Sequence, residues 1–315
     1  MSAVQPPPRV LKAYGSLAGA DQLVELPEPG AWRPKLVATD LDGTLLDSAG
    51  EVSPRTRAAL EACWDAGIPV VGVTGRGPRL LESVREALDG RGIAVLAQGG
   101  YVVDLERDEV LRTVGLPRAQ AAAVIEAIEG VAGELVVAVE DASEQSEARR
   151  PLRVQHGFNW PYPEPAHLLP RHSVLPDGPV LKVFLRSSTL GQDELLARAQ
   201  RVVDPADAEV THAGLGFIEV LPPGITKASG LAVALDLYGV GFGDVLVFGD
   251  MPNDLPMIAA VTDAGGRAVA VANAHPAVRA AAPEVTSGHD VDGVARYLEA
   301  LLLGGSPMSD RVRDV

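Results

Sequence analysis

The chain has 315 residues, of which 47% are hydrophobic and 22% charged, as in a globular protein with room for about two domains. Its 27 Lys and Arg residues against 42 Asp and Glu give a formal charge of -15, which disfavours nucleic acid and anionic membranes as partners. The single cysteine, Cys63, excludes an intrachain disulfide and a cysteine-based metal cluster. No apolar run reaches the ~18 residues of a membrane span, and prolines interrupt positions 6 to 8, so we expect a cytoplasmic protein.

The two ends of the chain lack a regular pattern. Residues 1–34 are rich in proline and glycine and show no sustained hydrophobic period, so we predict an N-terminal extension there. Residues 304–315 follow the last apolar segment and are predicted to form a C-terminal tail. The folded part is therefore expected to lie between them.

From residue 35 onward, short apolar runs alternate with helical patterns. Ser53 and Pro54, for example, supply an N-cap and a first-turn proline for a helix that Gly67 ends. We predict strands at 36–39, 68–73, 93–97 and 245–248, and helices at 53–66, 78–88 and after Lys227. This order predicts an α/β fold, a doubly wound Rossmann-like parallel-sheet core formed by residues 35–114 and 224–303.

Residues 115–223 interrupt this core and are predicted to form an inserted α+β cap, or lid, domain. The predicted elements are helices at 118–129 and 192–203 and strands at 134–139, at 180–186 and around 210–221. Between the first and second of these strands, the stretch 141–179 contains seven prolines. Because proline breaks both helices and ladders, we predict a loop over the site there rather than regular structure throughout.

The first motif with chemical potential follows the strand at 36–39. Asp40 and Asp42 are two carboxylates separated by one residue, and the turn residues Gly43 and Thr44 come directly after them. In open α/β sheets, ligands bind outside the carboxyl ends of the strands, so one carboxylate could attack a substrate while the other handles protons. An acidic tight turn would have the same composition, and this motif alone does not decide between the two.

Two further motifs could bind a phosphate group. Thr74, Gly75 and Arg76 lie between a strand and a helix, where a hydroxyl, backbone amides and a helix N-terminus form a phosphate cradle. Lys227 stands at the start of an apolar helix and could neutralise negative charge shared between a nucleophile and a phosphoryl group. Taken singly, an ordinary turn and an exposed lysine explain these residues better than a phosphate site does.

The fourth motif follows the strand at 245–248. Asp250 and Asp254 place two more carboxylates at the end of a strand, with Asn253 between them. Carboxylate oxygens are the ligands that a hard cation such as Mg²⁺ prefers. The six histidines offer no pair at metal-ligand spacing, so a magnesium site is the metal centre that the sequence favours.

Together, these four motifs resemble those of the haloacid dehalogenase superfamily, in the same order. The segments are DLDGT at 40–44, TGR at 74–76, Lys227 and GDMPND at 249–254, and the position of the lid resembles the Cof-type subfamily with its type IIB cap. The resemblance covers residues 36–303. It implies a Mg²⁺-dependent phosphatase that acts on a small phosphorylated metabolite, such as a sugar phosphate or a phosphorylated cofactor.

The resemblance also assigns roles to individual residues. Asp40 would attack phosphorus to give an aspartyl phosphate, and Asp42, with a raised affinity for a proton, would act as general acid and base. Mg²⁺ would bind Asp40, the carbonyl of Asp42 and Asp250, with Asp254 as a further ligand. Lys227 is the third catalytic residue. The implied phosphate- and substrate-binding residues are Gly43, Thr74, Gly75, Arg76 and Asn253.

Two positions depart from the family pattern, and two other functions stay open. Gln98 stands where relatives usually have asparagine, and Ala272 replaces a usual glycine, so recognition of the leaving group is expected to differ. A phosphomutase would use the same aspartyl phosphate. A noncatalytic module would keep the fold and bind a phosphorylated ligand without catalysing a reaction.

Overall fold

A computed structural model of the chain describes residues 32–142, 152–160, 166–212 and 214–303. The predicted N-terminal extension lies almost wholly outside the described residues, and the C-terminal tail lies outside them. The strands of the described part are β1 (Leu36–Thr39), β2 (Val70–Val73), β3 (Ile93–Leu96), β4 (Tyr101–Asp104), β5 (Glu109–Thr113), β6 (Leu135–Asp141), β7 (Leu152–Gln155), β8 (Ala166–Leu169), β9 (Val180–Ser187), β10 (Glu209–Thr211), β11 (Ile218–Leu221), β12 (Val245–Gly249), β13 (Arg267–Val271) and β14 (Glu284–Thr286). The helices are α1 (Pro54–Asp65), α2 (Leu81–Ala87), α3 (Arg118–Ala132), α4 (Gln192–Ala199), α5 (Lys227–Tyr238), α6 (Leu255–Asp263), α7 (Pro276–Ala281) and α8 (Gly293–Leu303).

The first sheet has the strand order β14-β13-β12-β1-β2-β3-β4-β5. Neighbours from β14 to β3 are parallel, and β4 and β5 add an antiparallel hairpin at one edge. Every residue of β1 and β2 is buried, as expected for central parallel strands covered on both faces. The predicted α/β class with a parallel-sheet core is confirmed, whereas the β4–β5 hairpin is an addition.

The second sheet, which we call the cap sheet, has the order β10-β11-β9-β6-β7-β8. It is antiparallel except for the β7–β8 pair. The segment 141–179, which we predicted to form a loop over the site rather than regular structure throughout, contains the strands β7 and β8: both pair in this sheet, and the alternating burial of β7 shows one face packed inward. Residues 143–151 and 161–165 of this segment lie outside the described residues.

Each sheet has its own hydrophobic core. One face of the cap sheet packs against α3 and α4 through aliphatic side chains of alternate positions, such as Val183 and Leu185 of β9. The opposite face carries a cluster of aromatic side chains, which includes Phe158, Phe184 and Phe217. Cys63 is fully buried in the core of the first sheet, and burial raises the pKa of its thiol to about 12. None of the helices in the described segments is both long and apolar enough to cross a membrane.

Local sequence explains where the helices α1 and α5 begin. The hydroxyl of Ser53 accepts a hydrogen bond from the backbone N–H of Thr56, which caps α1. At α5, Thr226 and Ser229 form a reciprocal capping box, and α5 ends at Gly239 in the left-handed region with φ 64°. The second cap holds Lys227 at the first position of α5, where its side chain turns into the site.

Candidate active site

The predicted site residues meet at the carboxyl edge of the first sheet. Asp40 follows β1, Thr74 follows β2 and Asp250 follows β12, and these three strands are adjacent and parallel. Because parallel neighbours end on the same side, residues that are far apart along the chain lie together there. The four motifs that the sequence singled out are thus brought to one place.

Lys227 links two of the carboxylates. Its Nζ lies 2.7 Å from Oδ1 of Asp40 and 2.6 Å from Oδ1 of Asp254, and the three side chains are almost completely buried. The other oxygen of Asp254 accepts the backbone N–H groups of Asp250 and Met251, each at 2.9 Å. Both oxygens of Asp254 therefore accept hydrogen bonds, and Asp254 holds both the lysine and the turn that carries Asp250.

The two oxygens of Asp250 have different surroundings. Its Oδ1 accepts a hydrogen bond from the hydroxyl of Thr44 at 3.1 Å, whereas its buried Oδ2 has no hydrogen-bond partner among the described residues. A Cβ atom at Gly43 would lie 2.5 Å from this Oδ2, and Gly43 has φ +83°, so only glycine leaves the oxygen its space. A buried carboxylate oxygen without a partner fits a cation ligand.

Three carboxylates could hold that cation. Ligand atoms of Asp40, Asp250 and Asp254 all lie within 4.8 Å of one another, and all three side chains are buried. Oxygen donors in a group of this kind suit Mg²⁺. The residues present therefore fit the magnesium ion that the sequence predicts.

The charges in this group perturb one another. Burial, opposed by Lys227 and supported by Asp254, raises the pKa of Asp40 to about 6. Burial and the adjacent Asp40 raise the pKa of Asp250 well above its ordinary value. Burial lowers the pKa of Lys227, but Asp254 and Asp40 outweigh it and raise that pKa overall. The lysine is thus fixed as a cation, and a positive charge placed beside Asp40 and Asp250 would stabilise their ionised forms.

Asp42 lies in a different setting. Arg76 donates to both of its oxygens, from Nε at 2.8 Å and from Nη2 at 3.0 Å, and a third guanidinium nitrogen donates to Ser83. A bidentate guanidinium favours an ionised carboxylate. The sequence did not show that the arginine of the second motif would pair with Asp42, and the raised proton affinity expected of Asp42 stays a prediction.

The turn after β2 has the geometry of a binding loop. The Oγ1 of Thr74 accepts the backbone N–H of Arg76 at 3.1 Å, which leaves its own hydrogen available for a ligand. The carbonyl of Thr74 accepts the N–H of Gln98 at 3.1 Å, so the turn is tied to the end of β3. Gly75 lies between Thr74 and Arg76, beside the side chain of Gln98.

Asn253, one of the implied substrate-binding residues, is buried and lies next to Gln98. Its Nδ2 donates to Oε1 of Gln98 at 3.1 Å, and its buried Oδ1 has no partner among the described residues. Gln98, the first departure from the family pattern, is itself buried, and its Nε2 donates to Glu219 of the cap sheet at 2.5 Å. Ala272, the second departure, is only partly buried.

Sequence reasoning missed two supporting residues. Asn273 donates to the carbonyl of Gly43 at 2.8 Å and accepts the N–H of His289 at 3.0 Å, so it braces the first motif. Lys182 reaches from the cap sheet to the carbonyl of Gly75. Asn273 has a signal in the sequence, since it follows the strand β13, but Lys182 lies inside an apolar strand and has none.

Comparisons with known proteins agree with this architecture. A family model described as haloacid dehalogenase-like hydrolase matches residues 37–298. The chain is 27% identical over 292 residues to the 5-amino-6-(5-phospho-D-ribitylamino)uracil phosphatase YwtE of Bacillus subtilis, with 86% of this chain and 99% of that protein covered. It is 25% identical over 277 residues to the pyridoxal phosphate phosphatase YbhA of Escherichia coli, with 85% and 99% covered.

A solved structure shares the fold of both parts. The subclass IIB sugar phosphatase BT4131 of the same superfamily matches with a TM-score of 0.65 at 21% identity, over 84% of this chain and 97% of that one. The match therefore includes the inserted cap sheet as well as the parallel core. On the strength of the family model and the curated relatives, the chain belongs to the haloacid dehalogenase-like hydrolases.

Proposed function

We propose that the protein is a Mg²⁺-dependent phosphatase that hydrolyses a small phosphorylated metabolite through an aspartyl-phosphate intermediate on Asp40. The observation that carries the proposal is the buried carboxylate of Asp40 at the end of β1, 2.7 Å from the ammonium of Lys227 and grouped with Asp250. Both curated relatives described above are named phosphatases of small phosphorylated compounds, which supports the reaction class.

The metal would be held by the carboxylates of Asp40 and Asp250 and by the carbonyl of Asp42, with Asp254 beside them as a further ligand. The unpartnered oxygen of Asp250 supports this set. When bound, Mg²⁺ supplies positive charge that keeps Asp40 ionised and reduces the repulsion between this carboxylate and an anionic phosphate.

The side chains would then divide the first displacement among them. Asp40 attacks phosphorus, and the bond from phosphorus to the leaving oxygen breaks as the aspartyl phosphate forms. Lys227, fixed by Asp254, neutralises charge that builds up on the phosphoryl oxygens. The hydroxyl of Thr74 donates to one of these oxygens, and the backbone of Gly75 supports the same cradle.

Asp42 would complete the reaction by donating one proton in the first step and accepting one in the second. Protonated Asp42 gives its proton to the leaving oxygen, and the resulting carboxylate takes a proton from the water that hydrolyses the aspartyl phosphate. The pair with Arg76 favours the carboxylate, so it suits the second step. Protonation for the first step requires this pair to loosen when a phosphate enters, and Arg76 then becomes available to the substrate.

Phosphate release from a panel of phosphorylated metabolites tests the proposal. The panel should include a sugar phosphate, pyridoxal phosphate and p-nitrophenyl phosphate, each with Mg²⁺ and with a chelator. We expect Mg²⁺-dependent turnover that falls by ~10³-fold or more in Asp40→Asn, because the nucleophile is lost. Asp236→Asn, which removes the same charge from an exposed position on α5, should retain full activity.

The products separate the alternatives. A phosphatase releases one phosphate for each substrate consumed, whereas a phosphomutase converts a sugar phosphate into its isomer without release. Turnover that survives in Asp40→Asn would refute the proposed nucleophile. No turnover of any compound, together with binding of phosphorylated ligands, would refute catalysis and favour a noncatalytic module. Cytoplasmic localisation stays a prediction from the sequence.

A further inference from the structure

A buried polar cluster joins the cap sheet to the turn after β2. Gln98 donates through Nε2 to Oε2 of Glu219 at 2.5 Å, and Oε1 of Glu219 accepts the ammonium of Lys182 at 3.0 Å. The same ammonium donates to the carbonyl of Gly75. On the other side, Oε1 of Gln98 accepts Nδ2 of Asn253 at 3.1 Å. The cluster thus runs from the fourth motif through the cap to the second motif.

The cluster excludes solvent almost completely. The exposed fractions are 1% for Gln98, 1% for Lys182, 2% for Glu219 and 5% for Asn253. The charge of a lysine this deeply buried is compensated by the charge of its partner. Removal of one member of such a pair leaves the other as an unpaired buried charge. The ion pair of Lys182 and Glu219 belongs to the cap, whereas Gln98 and Gly75, to which it is hydrogen-bonded, belong to the core.

The backbone around Gln98 is built for this contact. Ala97 and Gln98 have φ values of 48° and 60°, in the left-handed region that non-glycine residues rarely adopt. Gly99 continues the turn at φ 108°, and a Cβ there would lie 2.3 Å from the carbonyl oxygen of Thr226, so the turn is pressed against the start of α5. A strained backbone of this kind persists only where the surrounding structure holds it in place. Here it directs the side-chain amide of Gln98 toward the cap sheet.

The second motif makes room for the same amide. A Cβ at Gly75 would lie 2.7 Å from Nε2 of Gln98, so a larger residue would displace the side chain that holds Glu219. The carbonyl of Gly75 thus accepts a hydrogen bond from the cluster, and the absence of a Cβ at Gly75 leaves room for the amide of Gln98. The conformation of the phosphate-binding turn and the docking of the cap are therefore linked by direct contacts.

We propose that Gln98 and Glu219 are positioning residues that hold Lys182 of the cap against the turn at 74–76. Docking of the cap then places the ammonium of Lys182 at the turn, whereas Lys227 supplies an ammonium at Asp40. The effect on turnover rests on the proposed phosphatase function, whereas the docking itself does not. Gln98 acts through Glu219 and Lys182 rather than by touching the leaving group, so every substrate should respond to its loss in the same way.

Hydrogen exchange of the full-length protein without substrate tests the docking. The variants are Gln98→Leu, the milder Gln98→Asn, which withdraws the amide by one methylene, and Lys182→Met. Gln120→Leu is the matched control, because this glutamine donates to the carbonyl of Asp207 within the cap. We expect faster exchange at residues 74–77 in all three variants, with β1 and β12 unchanged and no effect in the control.

A double variant and kinetics complete the test. If the cluster acts as one unit, Gln98→Leu combined with Lys182→Met should exchange no faster at 74–77 than either single variant. kcat/KM should fall by about tenfold or more, and by a similar factor for p-nitrophenyl phosphate and for larger metabolites, because displaced positioning groups slow reactions on this scale.

Three results would overturn the proposal. One is unchanged exchange at 74–77 in Gln98→Leu and Gln98→Asn. Another is faster exchange throughout the parallel core, which would mean that the residues only stabilise the fold. The third is a loss of kcat/KM that differs strongly between substrates, which would make Gln98 a contact of the leaving group. If the native protein turned over no substrate, the proposed phosphatase would fail, and the exchange result would still decide the docking.

Discussion

Removal of the buried lysine offers a strong test of the site's electrostatics. In Lys227→Met, a side chain of similar length loses its charge, and Asp40 and Asp254 lose the cation that lies 2.7 Å and 2.6 Å from them. Both carboxylates remain buried, with Asp250 close by. Breaking a buried ion pair by removing one partner typically destabilises a protein by about 3–5 kcal/mol.

This magnitude should be visible in thermal unfolding. For a protein of this size, 1 kcal/mol corresponds to roughly 2–4 °C, so we expect the melting temperature of metal-free Lys227→Met to fall by about 6–20 °C. The loss should be larger at pH 8 than at pH 5, because protonation at low pH removes the unpaired negative charges. Lys35→Met is the control, since its exposed pair with Asp244 should contribute less than about 1 kcal/mol.

A second substitution makes the test sharper. Asp254→Asn in the Lys227→Met background removes one of the unpaired charges, so the double variant should melt above the single variant. Scanning calorimetry of the metal-free proteins at both pH values measures all of these differences. A melting temperature of Lys227→Met within about 2 °C of the native value at pH 8 would refute the view that the lysine compensates these carboxylates.

Two further predictions concern the metal. Gly43→Ala should lower the affinity for Mg²⁺ measured by calorimetry, because the new Cβ would lie 2.5 Å from Oδ2 of Asp250. Gly50→Ala is the control: Gly50 has a similar φ of +80° but open space around it, so this variant should be destabilised only by ~1–2 kcal/mol of backbone strain. Equal Mg²⁺ affinities of the two variants would contradict the predicted clash. Because the pKa of Asp40 is raised from 3.8 to about 6, the folded metal-free protein binds the extra proton, and this contribution to stability is lost as the pH rises through that window. Mg²⁺ needs the ionised form, so it should raise the melting temperature more at pH 7.5 than at pH 5, and equal shifts at both pH values would argue against Asp40 as a ligand.

The residues of three of the four motifs could be found from the sequence because each follows a strand, whereas Lys227 could be found because it begins an apolar helix. The run predicted at 36–39 is the same as β1, and the run at 245–248 lacks only the last residue of β12. Once strands are known to be parallel, residues directly after them must lie at one edge of the sheet. The roles given to Asp40, Asp42 and the metal ligands remain proposals, although the structure brings these side chains together.

Other parts of the fold depended on contacts that no local pattern records. The alternation in β7 was present in the sequence, but the surrounding prolines outweighed it, and the strand exists because β6 and β8 pair with it. Helix α4 ends at Ala199, earlier than the predicted residue 203, because the chain turns there with 3₁₀-type hydrogen bonds such as that from Val202 to Ala199. Short elements of this kind take their limits from tertiary packing.

The contacts of Gln98 show a second limit of sequence reasoning. Its departure from the usual asparagine was visible, and an altered reach was expected. Its partner Glu219 is 121 residues away, on a strand of the inserted cap sheet. Only the folded chain shows that the extra methylene carries the amide to that carboxylate.

The balance of charge at the site explains why a divalent cation would suit it. The three cationic side chains described above are each paired with a carboxylate, in the pairs Lys227–Asp40, Arg76–Asp42 and Lys182–Glu219. Asp250 and Asp254 add two further negative charges. Burial, together with the neighbouring carboxylates, raises the pKa values of Asp40 and Asp250. A phosphate dianion would meet these negative charges, and one Mg²⁺ ion would compensate two negative charges before the substrate arrives.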